Sequence, residues 1–299
     1  MESAFKRRAT MLLLNGYNLT LNSFPNGELN LLLIEEAIKL RKPLENHHFV
    51  LKYESDKDLM ALFFAKKHLD KRTLKEQTDL SIAYMPYSRM DRAETPETPF
   101  MLLYACDFIN NLDFHSVYVH EPHSRVTGLL LKNVVEVYDN VKLVNEVMSL
   151  ENFNVLNDYL VFPDKGAQLR YSGAINSQNI LIGDKKRDFQ TGEITSLEVT
   201  GDFSKANGST AIIVDDLSSF GGTFVKVAKQ LREKGFNRVV LLVCHAENSV
   251  FEGKLFSHID KLYTTDSIIT KQNDWNNQIF KPKLKVFGLI EQLKEGSQK

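Results

Sequence analysis

Two adjacent acids, Asp215 and Asp216, close the apolar run Thr210–Val214, and Gly221, Gly222 and Thr223 follow shortly after them. Paired carboxylates accept hydrogen bonds from neighbouring hydroxyls, and hydroxyl groups such as those of Ser218, Ser219 and Thr223 can donate. Glycines let backbone amides approach a ligand closely. If the run before the acids is a strand and the segment after them a helix, the string DDLSSFGGT sits where α/β sheets bind ligands, with a helix dipole that favours a phosphate. The chemistry this suits is recognition of a phosphorylated sugar through its hydroxyls. The same letters also describe an ordinary β-to-α turn with a threonine cap and two solvated acids.

The remaining chemistry-bearing groups are weaker standing alone. Asn26-Gly27 in SFPNGE is a turn signal. Arg89, Asp91 and Arg92 read as a surface ion pair, and Lys185 to Arg187 as a solvated charge run. His123 is an isolated imidazole. Asp164 in FPDKG ends an apolar run, with Gly166 opening the next helix.

These groups need a frame, and the chain alternates short β-rich runs with segments of helical period: DLSIAYM, MLLYACDFINNL, SVYVH, YLVFP, NILIG, TAIIVDD and RVVLLVCH. The unit from Thr210 to His245 is the clearest. Its strand feeds a helix over Thr223–Lys234, with Val227, Ala228 and Leu231 on one face, Lys226, Lys229 and Arg232 on the other, and Gly235 as its stop. The expected class is α/β with mainly parallel central sheets, in two regions divided near Tyr138 to Asn145. The polar stretch Gly183 to Ala206 is expected to be a mobile excursion between strands.

With 299 residues the chain can bury one large core or two ordinary ones. Lys+Arg 37 against Asp+Glu 38 leaves a net charge of -1, so no global field draws it to nucleic acid or an anionic membrane, and any phosphate must be held locally. Cys106 and Cys244 both lie in apolar stretches and read as buried, reduced thiols. The longest apolar runs are too short to span a bilayer, and the start MESAFKRRATMLLLNG lacks a signal-like core, so a cytoplasmic protein is expected.

Six motifs in order, SFPNGE, PYSRMDR, EPHS, FPDKGAQLR, DKKR and DDLSSFGGT, resemble the ribose-phosphate pyrophosphokinase (phosphoribosyl pyrophosphate synthetase) family over nearly the whole chain. The resemblance implies two tandem type I phosphoribosyltransferase-like domains, residues 1–141 for ATP and 142–299 for the ribose phosphate. It places Phe24, Asn26, Glu28, Arg89, Met90, Asp91 and His123 at ATP, with the Phe24 hairpin typically reaching a neighbouring subunit. Metal contacts fall to His123 and Asp164, although imidazole is an uncommon ligand for Mg²⁺. The sugar phosphate goes to Asp164, Asp215, Asp216, Ser218, Ser219, Phe220, Gly221, Gly222 and Thr223. Lys185 and Arg187 match the catalytic basic pair on a closing lid. The implied reaction is attack of a ribose anomeric hydroxyl on the β-phosphorus of Mg·ATP, with AMP leaving. A homodimer is the implied minimum, and a hexamer is common in the family.

The chain departs from the family's pattern at four places. Met90 stands where Gln is usual, Lys165 where a small residue is usual, Ser219 where an acid is common and Phe220 where a threonine usually donates to the 5-phosphate. A phenyl ring cannot make that hydrogen bond, so two acceptors stay open: ribose 5-phosphate, or ADP-ribose, whose ribose also has a free anomeric hydroxyl and which related enzymes use in phage NAD⁺ reconstitution. A viral chain would act in its host's cytoplasm. A phosphoribosyltransferase would share DDLSSFGGT without needing the ATP motifs, and a silent regulatory relative would not need Lys185, Arg187 and Asp164.

Overall fold

The computed structural model of the chain describes residues 6–175, 177–187, 194–270, 280 and 282–296. Two compact units emerge: Met1–Val137 with Gly288–Lys299, and Tyr138–Phe287. Where the sequence suggested one boundary at 141/142, contacts place one at 137/138 and a second at 287/288.

The first unit is built on a seven-stranded sheet of β1 (Lys6–Leu14), β2 (Tyr17–Ser23), β3 (Leu29–Leu32), β4 (His47–Leu51), β5 (Thr78–Ile82), β6 (Ser116–His120) and β7 (Val134–Val137), ordered β3-β2-β1-β4-β5-β6-β7. Strands β4 to β7 run parallel. The β1–β2–β3 meander is antiparallel and joins β4 antiparallel, so the parallel expectation holds for the centre and not for this flank. Helices α1 (Ile34–Lys39), α2 (Asp56–Arg72), α3 (Met101–Asn110) and α4 (Val126–Leu130) lie between strands. Alternation along the strands splits them between two cores. Leu12, Leu14, Phe49, Leu51, Leu80 and Ile82 pack in the larger one with α2 and α3. Leu13, Val50 and Ala83 face the other way and are covered by Leu289, Ile290 and Leu293 of the C-terminal helix α8 (Leu289–Lys294), which is why the chain's end returns to its first unit.

Within that sheet, His48 on β4 shares a 2.9 Å hydrogen bond with the Ser81 hydroxyl on β5. Burial, opposed by Asp79 and aided by His120, pushes its imidazole down to about 4. The folded state therefore refuses a proton that the unfolded chain accepts near pH 6.5, and stability falls as pH drops through 6.5 towards 4. For His48→Gln, which keeps a polar partner for Ser81 without titrating, the loss of stability between pH 7 and pH 5 should be smaller by roughly 2 kcal/mol. Urea midpoints at the two pH values measure this, and parallel pH profiles for both proteins would refute it.

The second unit contains α5 (Asp139–Leu150), β8 (Tyr159–Phe162), α6 (Lys165–Tyr171), β9 (Ile180–Arg187), β10 (Ile194–Thr200), β11 (Thr210–Ser218), α7 (Gly222–Glu233), β12 (Arg238–Ala246), β13 (Lys261–Thr265) and β14 (Leu284–Phe287). Its sheet runs β10-β9-β8-β11-β12-β13-β14, parallel except for β10. Period-two alternation again feeds two cores. Ala211, Ile213, Val239, Leu241 and Val243 meet Val227, Ala228 and Leu231 of α7 on one face, while Ile212, Val214, Val240 and Leu242 meet Leu143, Val144 and Val147 of α5 on the other. Cys106 and Cys244 are buried thiols, not joined in a disulfide. Among the described residues no helix is long and apolar enough to cross a membrane.

Candidate active site

Strand order in the second unit reverses between β8 and β11: β9 lies outward of β8 on one side, and β12 to β14 follow β11 on the other. Such a switch point opens a crevice at the carboxyl ends of the strands. Asp164 stands just past the end of β8, and Asp215 and Asp216 lie in the last turn of pleat of β11.

Asp164 is the N-cap of α6, its Oδ1 accepting the Ala167 amide at 2.9 Å. Its other oxygen accepts from Lys185 Nζ at 2.7 Å. Burial pushes this carboxyl up, but the hydrogen bond and charge of Lys185 and the Ala167 amide outweigh it and hold the group below its usual range. Lys185 reaches Asp164 because β9 passes close to the chain just before it: a Cβ on Gly183 would lie 2.3 Å from the Pro163 carbonyl oxygen. Of the stretch Gly183 to Ala206 expected to be a mobile excursion, Gly183–Arg187 and Ile194–Thr200 are paired strand. Lys185 lies opposite Leu197 and the backbone of Arg187 opposite Ile194 in the β9–β10 hairpin. Asp188–Glu193 and the Arg187 side chain fall outside the described residues. Lys165 makes a 3.5 Å ion pair with Asp184, both well exposed, which contributes little.

The string DDLSSFGGT is also more strand than loop. Leu217 and Ser218 remain in register with His245 and Ala246 of β12, so the turn proper is Ser219 to Gly221. Gly221 caps α7 at φ 78 in the left-handed region, and a Cβ there would come within 3.0 Å of Leu255, so this glycine is required twice over. Gly222 opens the helix with free space around it. The amides of its first turn and the Thr223 hydroxyl are the donors available to an anion. Ser218 is fully buried and its hydroxyl donates to the Ser219 carbonyl at 3.3 Å. Ser219 Oγ lies 3.1 Å from Ser249 Oγ, and Ser249 donates to Glu247 at 3.3 Å. Phe220 projects with 57% of its surface exposed.

Behind the acids stand residues that sequence reasoning did not single out. Arg170 Nη1 of α6 lies 2.8 Å from Asp216 Oδ1 and 4.0 Å from Asp215 Oδ1. Asn140 of α5 donates to the Asp215 carbonyl at 2.7 Å and to the Tyr171 hydroxyl at 3.1 Å. The Asp216 amide donates to Asp215 Oδ1 at 2.9 Å. Burial, then the charges of Asp216 and Asp164, push the Asp215 carboxyl well above its usual range. For Arg170 burial is outweighed by Asp216, Tyr171 and Asp215, which keep the guanidinium firmly charged. Arg170 ends the motif FPDKGAQLR, so its spacing from Asp164 on one short helix was the available signal; Asn140 offered none.

The first unit holds the other predicted residues. The strands β2 and β3 are joined by a turn in which Phe24 N–H donates to the Glu28 carbonyl and Gly27 N–H to the Phe24 carbonyl, both at 2.9 Å, while Asn26 Oδ1 accepts from the Glu28 amide at 3.1 Å. Phe24, 39% exposed, borders a cleft of about 530 Å³ with Gly27, Glu28, Leu29 and, from α2, Lys57, Met60 and Phe64. Past β5 the chain makes a turn at Pro86–Arg89 that leaves Arg89 and Met90 exposed. Asp91 accepts from Ser124 Oγ at 2.7 Å, which ties this turn to the loop after β6 that carries the half-buried His123. Arg89, Asp91 and His123 thus share the carboxyl edge of this sheet, whereas the Phe24 hairpin belongs to its antiparallel flank.

Fold and site define a protein of two tandem phosphoribosyltransferase-like units, with paired acids and a glycine-capped helix N-terminus at the switch point of the second. The phosphoribosylpyrophosphate synthetase of Mycobacterium smegmatis has the same fold, with a TM-score of 0.69 at 17% identity, covering 93% of this chain and 88% of that one. No protein-family profile matches the chain. The ribose-phosphate pyrophosphokinase of Helicobacter hepaticus is 25% identical over 276 residues, 90% of this chain and 83% of that protein. Those of Wolinella succinogenes and Sulfolobus acidocaldarius are each 27% identical, over 248 and 219 residues, covering 81% and 71% of this chain and 75% and 72% of theirs. The chain is thus similar over most of its length to ribose-phosphate pyrophosphokinases, at 25–27% identity.

Proposed function

We propose that the chain transfers the β,γ-diphosphate of Mg·ATP to the anomeric hydroxyl of ribose 5-phosphate, releasing AMP. The observation that carries this reading is the switch-point crevice, where Asp215 and Asp216 face Asp164 and Lys185 within one unit, in a chain whose relatives are ribose-phosphate pyrophosphokinases. The acids accept the ribose hydroxyls, and the α7 amides with Thr223 hold the 5-phosphate. In the first unit Arg89 suits polyphosphate oxygens and the exposed ring of Phe24 suits a purine face.

The sugar oxygen forms a bond to the β-phosphorus as that atom's bond to the oxygen bridging to the α-phosphate breaks. Charge spreads over the transferred group and the departing AMP, and the cations of Lys185 and Arg187 are assigned to neutralise it. Before that, Lys185 has to exchange Asp164 for phosphate oxygens. Asp164 fits a divalent cation: it is an ionised carboxylate whose charge is already matched by a cation, Lys185. Mg²⁺ held by Asp164 would supply further neutralisation of phosphate charge, and His123 in the first unit is assigned to the metal of the ATP. A domain assignment follows, with ATP held by the first unit and the acceptor by the second. We place the enzyme in the cytoplasm as a homodimer or larger homo-oligomer, supported by the apolar cleft beside the Phe24 hairpin.

Incubation with Mg·ATP and ribose 5-phosphate, followed by ³¹P NMR, tests this: AMP and a diphosphorylated sugar are expected, and their absence overturns the reading. The relatives give no support to ADP-ribose as acceptor. That sugar, run in parallel, shows whether Phe220 admits a group beyond the 5-phosphate. Restoring a donor with Phe220→Thr is expected to lower KM for ribose 5-phosphate about tenfold, the worth of one hydrogen bond to a charged group. An unchanged KM would show that the helix amides and Thr223 already satisfy the phosphate.

A further inference from the structure

We propose that Arg170 is a positioning residue for the sugar acceptor, holding the Asp215 and Asp216 carboxyls together as a pair of acceptors that can face two neighbouring hydroxyls. This deepens the reading of the same site and rests on it.

Two carboxylates on consecutive residues of a strand ordinarily point to opposite faces of the sheet. Here both side chains are nearly out of contact with water, 13% and 5% exposed, and both present Oδ1 to one nitrogen of Arg170, at 4.0 and 2.8 Å. Two buried carboxyls this close repel when both are charged. Arg170, whose guanidinium cannot lose its proton, is the fixed cation against Asp216 and holds the two side chains side by side. It is itself anchored: it lies 5.7 Å over the ring of Tyr171, whose hydroxyl accepts from Asn140, and Asn140 in turn holds the Asp215 carbonyl. The helix that carries Arg170 begins at Asp164, which it caps. One short rigid element therefore sets Asp164 at one end and Asp216 through Arg170 at the other, on the two sides of the crevice. A merely structural ion pair would need no such register with the strand's ligand end.

The test compares wild type with Arg170→Met and Arg170→Lys in steady-state kinetics for both substrates, alongside melting temperatures. For Arg170→Met, KM for ribose 5-phosphate should rise on the order of ten- to a hundredfold with KM for ATP within about twofold. Arg170→Lys, which keeps the charge, should recover part of that loss. If KM for the sugar is unchanged, or if both KM values rise equally, Arg170 is structural only and the proposal fails. Should Arg170→Met not fold, the lysine variant decides by the same criterion, because a point charge without the planar fork must still raise KM for the sugar alone. A wild type that releases no AMP from ATP and ribose 5-phosphate overturns the proposed function itself, an outcome separate from a working enzyme indifferent to residue 170.

Discussion

Lys185→Ala is expected to lower kcat about a thousandfold while leaving KM for ATP within a fewfold of wild type. Removing a preorganised charge that meets the transition state typically costs 10²- to 10³-fold, and phosphoryl transfer leans on such charges more than on covalent chemistry. The geometry adds a second contribution. Lys185 neutralises Asp164 at 2.7 Å, so alanine leaves that carboxylate without its cation at the mouth of the crevice. The carboxyl now sits below its usual range largely because of Lys185, against its own burial. In the variant it should drift upward, and the fraction ionised at neutral pH should fall if burial dominates. Two effects therefore act in the same direction on turnover. Steady-state kinetics with ATP varied at saturating ribose 5-phosphate separate the parameters, and loss shared equally between kcat and KM for ATP would rule out the assigned role. Lys185→Arg is the useful companion, because it retains charge on a hairpin held in register by Leu197.

That hairpin also marks the limit of what the sequence revealed. The α7 amphipathic stripe, the β11 and β12 runs and the Gly235 stop were legible because period and punctuation are local properties: Val227, Ala228 and Leu231 are buried, Lys226, Lys229 and Arg232 are exposed, and Gly235 sits at φ 95. The stretch around Lys185 was read as an excursion because polar residues hide strand pairing on a sheet edge, where only one neighbour and one covered face are needed. The return of α8 to the first unit was not legible either. Leu289, Ile290 and Leu293 announce an apolar face without saying which sheet it covers. At the site, the acids and glycines of DDLSSFGGT declared themselves by type and spacing. Arg170, Asn140 and the Ser219–Ser249–Glu247 chain did not, because their meaning depends on distances across elements. Ordered motifs could supply the identities of the candidate site residues, but not the finding that Ser218 is fully buried.

The largest effect on stability is expected away from this crevice, at Glu151. It is the C-cap of α5, where the helix dipole disfavours a negative charge, and its side chain is 3% exposed. It persists there because Arg238, first residue of β12, donates to it through Nε and through Nη2 at 3.0 Å, and because the Tyr263 hydroxyl donates to it from β13. Burial alone would raise this carboxyl, but Arg238 and Tyr263 hold it below its usual range. Glu151→Ala strips the acceptor from a tyrosine with none of its surface exposed and the counter-charge from a half-buried arginine. Breaking such a network by removing one partner should cost roughly 3 kcal/mol. Glu151→Gln, which still accepts from Tyr263, should cost less. Because the folded pKa is depressed, the wild-type contribution is complete above the unfolded value near 4.5 and is lost as pH falls through the folded one. The stability gap between wild type and Glu151→Ala should therefore narrow in acid, and a gap constant with pH would show that packing and not the charge carries the effect. Arg238 is the first residue of β12, at the end of the sheet opposite the edge that carries Asp164 and Asp215. Folded Glu151→Ala should then turn over at the wild-type rate, the reverse of Lys185→Ala, because in a parallel sheet the two ends of the strands divide stability from chemistry.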